Sequence, residues 1–221
     1  MLENKIYQWT TEVIHRLARK ISRETNYHYK QVLPVIDQQY AQICCETAIR
    51  ATKRFALAKM FLVRACFLLL LGFILYVVTK TSVISFFASS FIWFFVLYFS
   101  ALKFPVFRKK AEETNIKAAG DVMNVMFSLR KYLNRGYRIT GIITDSVIQT
   151  LGFWAVNGII AIFGAEYLGI KTALYFGILI GILNAFIDYY NGWVYYQKVK
   201  KAVVKRLSLQ SRENAEYEVL N

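Results

Sequence analysis

Phe176 to Lys201 reads FGILIGILNAFIDYYNGWVYYQKVKK. Its first twelve residues carry no charge; then comes Asp188, and a tyrosine- and lysine-rich tail follows. Thr172 to Val194, which contains the acid, is one of four apolar runs. The others are Met60 to Val78, Val83 to Leu102 and Val147 to Ala165. Each is about 19–23 residues long, and a helix needs roughly 20 to cross about 30 Å of hydrocarbon. The linkers Thr79–Ser82 and Glu166–Lys171 are too short for anything but antiparallel neighbours. The expected fold is therefore all-α, with four transmembrane helices in two antiparallel hairpins.

Composition agrees. The 221-residue chain is 56% hydrophobic and 16% aromatic, yet holds 28 Lys+Arg against 14 Asp+Glu. A soluble globule rarely combines the two; a membrane protein segregates them along the chain. Residues 1–59 hold ten Lys/Arg, residues 103–146 nine and residues 195–221 six, whereas each hairpin linker holds one. Basic residues favour the cytoplasmic side, which places both termini and the central segment there. The expected membrane is a bacterial inner membrane or a eukaryotic endomembrane or plasma membrane. No signal-peptide pattern is expected ahead of the first run, since Glu3, Glu12 and Glu24 do not suit a transit peptide. Cys44, Cys45 and Cys66 read as reduced thiols.

The chain thus divides into amphipathic cytoplasmic helices (1–59), hairpin 1 (60–102), a cytoplasmic helical loop (103–146), hairpin 2 (147–194) and a basic tail (195–221). Ile6, Trp9, Val13, Leu17 and Ile21 recur in steps of three and four on one helical face, which suits packing on the other cytoplasmic helices or lying on anionic lipid. Pro34 is placed to open a second helix, Asn134–Gly136 to end one, and Asp145–Ser146 to cap the third span; the last dozen residues read as frayed. Arg19-Lys20-x3-Glu24-Thr25-Asn26 is echoed by Arg108-Lys109-x3-Glu113-Thr114-Asn115, and Val32–Ile36 by Val122–Met126, which suggests a duplicated helix-plus-hairpin unit.

On a helix, Gly177, Gly181, Asn184, Asp188 and Asn191 line one face. The glycines permit close helix approach, and the polar residues suit helix packing or a pore lining. An acid in a span is costly and turns away from lipid. Arg64, at similar depth in the first span, is its expected partner. Tyr189, Tyr190, Trp193, Tyr195 and Tyr196 read as an interfacial aromatic belt. Lys198, Lys200, Lys201, Lys205 and Arg206 read as contacts to an anionic inner leaflet.

There is no P-loop, G-x-G-x-x-G, G-x-S-x-G or H-E-x-x-H, and no Cys/His spacing for a metal. No cofactor, metal or nucleic-acid partner is expected. The expected function is non-enzymatic: helix-mediated assembly with itself or with a membrane partner, in a scaffold or regulatory role. The alternative is an oligomeric channel or transport subunit with a cytoplasmic vestibule. Arg23-Glu-Thr-Asn-Tyr-His28 matches R-x4-H and resembles the signature of the HEPN ribonuclease family. Over those six residues the resemblance implies a third alternative, a membrane-anchored ribonuclease acting through Arg23 and His28.

Overall fold

The computed structural model is all-helical, with seven α-helices and no strand among the described residues. The structure describes residues 2–52, 54–102, 109 and 119–220, without the side chains of 2, 41, 43–65, 79, 98–102, 119–121 and 213–220. The helices are α1 (Leu2–Glu24), α2 (Tyr29–Thr52), α3 (Arg54–Thr79), α4 (Val83–Leu102), α5 (Ala119–Leu133), α6 (Arg135–Ile162) and α7 (Gly169–Leu220). They form two compact units: Met1–Ile49, Pro105–Asn134 and Asp188–Asn221 make one, and Arg50–Phe104 with Arg135–Ile187 the other.

The first unit is a helical lobe built from amphipathic stripes. Ile6, Val13, Leu17 and Ile21 of α1 are buried, together with Val32, Val35 and Ile36 of α2. Val122, Val125, Met126 and Leu129 of α5, and Tyr196, Val199, Val203 and Leu207 of α7, complete this set. In each helix the steps of three and four put the apolar side chains on one stripe, and burial of those stripes drives the packing. The stripe of α1 is thus covered by protein. Arg130 of α5 lies 4.4 Å over the Trp9 ring and 3.7 Å from Glu12, joining α1 to α5.

The helix starts differ from those expected at two points. α2 opens at Tyr29, five residues before Pro34. The His28 carbonyl accepts from the Gln31 and Val32 amides, its ring Nδ1 accepts from the Lys30 amide, and Gln31 Oε1 accepts from the His28 amide. This is a capping box with histidine in the usual serine position. The cap marks the start at His28, and Pro34, inside the helix, forgoes one backbone bond. α6 opens at Arg135, so Asp145–Ser146 lies within it. Nothing between Gly136 and Thr144 breaks a helix, and Thr140 returns its hydroxyl to the Gly136 carbonyl at 3.0 Å. The final segment is helical to Leu220 rather than frayed. The sequence also lets α2 run on into the first span as one rod, and the second span run past Pro105 through Asn115 to Leu133; both joins fall outside the described residues, as does the second copy of the Arg-Lys-x3-Glu-Thr-Asn echo apart from Lys109.

The second unit has an aromatic and leucine core. Phe153 stacks on Phe176 with centroids 4.3 Å apart, and Phe86 meets Phe176 edge-on at 5.8 Å. Leu68, Leu71 and Leu75 of α3 pack on this cluster. α4 lies on α6 where the Trp93 ring covers Gly152, with Trp93 Nε1 donating to Gln149 Oε1 at 2.7 Å. Buried Asn157 of α6 reaches both α4 and the chain between α6 and α7. Its Nδ2 donates to Ser89 Oγ (3.0 Å) and to the Glu166 carbonyl (3.2 Å), and its Oδ1 accepts from the Leu168 amide (2.9 Å). α6 and α7 are long and apolar enough to cross a membrane; the described side chains of α3 and α4 give shorter apolar helices, Cys66–Val78 and Val83–Leu97.

Candidate functional site

The polar stripe of α7 divides between the units. In the second unit, Gly177 and Gly181 lie against Ser146 and Thr150 of α6. A Cβ at Gly177 would fall 2.6 Å from the Ser146 carbonyl oxygen and 2.7 Å from the Thr150 nitrogen, and one at Gly181 would fall 2.8 Å from the Ser146 nitrogen. Two small residues four apart thus meet two small residues four apart, and the backbones touch. Asn184 is half-buried.

Asp188 and Asn191 belong to the lobe. At Gly192 α7 lies close against α5, because a Cβ there would lie 2.6 Å from Cβ of Tyr132 and 2.8 Å from the Ser128 carbonyl carbon. One turn before it, Asp188 meets α5 side chains: Lys131 Nζ lies 2.6 Å from its Oδ2, and Ser128 Oγ donates to its Oδ1 at 3.4 Å. The acid therefore has its counter-charge on α5. The expected partner, Arg64, has a side chain outside the described residues. Asn191 is half-buried.

Further along the same unit, Glu24 of α1 gathers three donors. Lys20 and Lys200 each place Nζ 2.8 Å from it, and the Tyr196 hydroxyl donates to Oε2 at 2.5 Å. Burial alone would raise the Glu24 carboxyl, but the bonds from Lys20, Lys200 and Tyr196 outweigh it and hold the group at about 2. Lys20 is raised, first by its bond to Glu24. The Tyr196 phenol is raised by burial and then by its bond to Glu24, and Tyr132 is raised chiefly by burial. Both phenols therefore keep their protons at neutral pH. Lys20 Nζ sits 5.1 Å over the Tyr196 ring and 5.8 Å over Tyr132.

A carboxyl lowered by folding stabilises the fold above its unfolded value and stops doing so as pH falls through its folded value. Acidification from about 4.5 to 2 should thus remove the Glu24 contribution. Glu24 is about a third exposed, so screening limits this to about 1 kcal/mol. Melting curves of the full chain across that window should fall more steeply for the native chain than for Glu24→Gln; parallel curves would refute the assignment.

The other residues singled out in the sequence are placed as follows. Tyr189, Tyr190 and Trp193 are exposed, but Tyr195 and Tyr196 are buried in the lobe and leave the expected aromatic belt. Lys200 is committed to Glu24, and Lys198 lies 5.9 Å over the Tyr195 ring; Lys201, Lys205 and Arg206 are exposed. Arg23 is exposed near the end of α1, and His28 caps α2. Lys131 and Glu24 carry little signal in the sequence, and Tyr196 reads there as interfacial; the contacts Lys131–Asp188, Tyr196–Glu24 and Lys200–Glu24 span 57 to 176 residues of chain, and the one local signal is that Glu24 stands four residues after Lys20. Comparison with protein families, with curated proteins and with solved structures finds no match to this chain.

Proposed function

We propose that this is a four-span integral membrane protein with a cytoplasmic helical lobe, acting by helix-mediated assembly rather than by catalysis. The observation that carries the membrane reading is the surface of the second unit. Leu69, Leu70 and Phe73 of α3, Ile84 and Phe95 of α4, Ile159 and Ile162 of α6, and Phe186 of α7 are all exposed, between 57% and 83%. Water would not solvate such a surface on four helices at once. Its buried polar groups, Asn157, Ser85, Ser89 and Gln149, are bonded internally, as lipid requires. Gly169 to Ile187 is 19 residues, about 28 Å of helix, which suffices to cross. On this reading the fourth span ends where Asp188 begins the lobe, so the acid never enters hydrocarbon. The basic bias of residues 1–59, 103–146 and 195–221 supports cytoplasmic termini.

The assembly reading rests on what remains available. Asp188, the acid that a pore would use, is matched by Lys131 within the lobe. In the second unit Gly158 of α6 has no atom within 4 Å of where its Cβ would be, beside exposed Ala155. A bare backbone facing lipid gives another helix a close seat. Gly158→Leu fills that space without an internal clash. The native chain in mild detergent should run as a complex, with itself or with a co-purified membrane protein. Gly158→Leu should reduce it to the monomer mass with its helical content unchanged. A monomeric native chain with no companion, or a reconstituted conductance that Asp188→Asn abolishes, would overturn this reading.

A further inference from the structure

We propose that a basic cleft of the lobe binds a phosphomonoester through Arg19 and Arg23. Glu12, Arg16, Arg19 and Arg23 fall within about 60° of arc on α1, at 100° per residue, so they share the face next to the buried stripe. They line a cleft of about 770 Å³ that Tyr29 and Leu133 complete. This is the size of a small-molecule site.

The charges in it do not cancel. Arg16 is paired with Glu12 at 2.8 Å and Lys20 with Glu24 at 2.8 Å. Arg19 and Arg23 have no carboxylate partner among the described residues. They stand one turn apart, where like charges repel. The cleft thus carries two uncompensated positive charges, which one phosphomonoester, of charge about −1.5 to −2 at neutral pH, would neutralise.

The same two arginines, with Ser22 and Tyr29, line an adjoining recess of about 250 Å³. Each of the four side chains offers a donor, and none is an acid. Guanidinium forks bind the oxygens of carboxylates and phosphates alike two at a time; a phosphomonoester has three free oxygens and nearly two charges, enough to engage both arginines and a hydroxyl donor together. Tyr29 is held by His15, with Nδ1 and the phenol oxygen 2.5 Å apart. With Nδ1 protonated, His15 donates to that oxygen and the phenol proton is left to donate to the anion. The recess therefore seats the phosphate, and the larger cleft, with Leu133 at its edge, takes the organic part of the ester.

The ester is either a soluble metabolite or a lipid headgroup, and two probes separate these. Full-length chain in phosphatidylcholine nanodiscs is titrated with glycerol 3-phosphate, and separately prepared with phosphatidic acid in the bilayer. Amide exchange of residues 15–30 and the melting temperature are read. Protection by glycerol 3-phosphate identifies a soluble ester; protection by phosphatidic acid alone identifies a headgroup. In either case Arg19→Gln/Arg23→Gln should weaken binding at least tenfold with the ligand-free melting temperature unchanged. Lys5→Gln, on an exposed position of α1 outside both cavities, should bind as the native chain does. Arg23→Lys, which keeps the charge and loses the fork, should fall between. No protection by either probe, equal protection by succinate, or undiminished binding in the double arginine variant would overturn the proposal.

Discussion

Asn157→Leu is expected to destabilise the chain by about 2–4 kcal/mol, although leucine is the better residue for an apolar helix. The asparagine satisfies the backbone at the point where the chain turns from α6 into α7. It accepts from the Leu168 amide and donates to the Glu166 carbonyl, while Ser85 Oγ accepts from the Glu166 amide at 2.9 Å. Leu168 is 8% exposed, so its stranded N–H would find little water. An unsatisfied buried backbone group costs about 1–3 kcal/mol, and Ser89 loses its donor as well. Gly164 and Gly169 give this turn its positive φ angles of 95° and 72°, so the loop depends on Asn157 and Ser85 rather than on regular structure. Ser85→Ala removes one acceptor and should cost about 1 kcal/mol. Unfolding in detergent gives the energies, and exchange of the Leu168 amide locates them. If Asn157→Leu falls within about 0.5 kcal/mol of the native chain and that amide stays slow, the asparagine is not the anchor of the turn.

The contrast between Asn157 and Asp188 shows what sequence could and could not yield. Apolar run length, a property of neighbours along the chain, gave helices at all four expected places. The three-and-four spacing of Ile6, Val13, Leu17 and Ile21 likewise gave a buried stripe. Asn157 is a lone amide in an apolar run, where interhelical bonding is its main use. The partner of Asp188 was not readable. Depth in the apolar run points to Arg64, whose side chain lies outside the described residues; α7 joins the lobe at Asp188, and there Lys131 of α5 meets it. Composition does not mark that boundary, since a buried lobe stripe and a lipid-facing stripe use the same residues. Tyr195 and Tyr196 were misjudged for the same reason: a tyrosine cluster after an apolar run suits either a membrane interface or a core with a carboxylate to bond. Pro34 is not the helix start, because the chain before it is already helical from a cap at His28 and Gln31. The anion cleft was invisible, because Arg19 and Arg23 stand out only once Lys20 and Arg16 are seen to be paired.

Gly177→Val should be at least as damaging, at about 3 kcal/mol or more, and for the opposite reason: added atoms rather than lost bonds. Small residues at both ends of the contact let α6 and α7 touch, and the atoms facing Gly177 are main chain, the Ser146 carbonyl oxygen and the Thr150 nitrogen. A side chain could rotate aside; a helix backbone cannot. Valine would force the two helices apart along the Gly177–Gly181 contact. The displaced Phe176 would then lose its stacking on Phe153 and its edge contact with Phe86, so the damage spreads into the core. Even Gly177→Ala should be costly, since its methyl occupies the same Cβ position. Gly158→Ala supplies the control. It has open space at its Cβ, and alanine is the better helix former by roughly 1 kcal/mol, so stability should hold or rise. A Gly177→Ala chain as stable as Gly158→Ala would mean that α6 and α7 do not approach through their glycine and hydroxyl residues. The packing assigned to this hairpin would then be wrong.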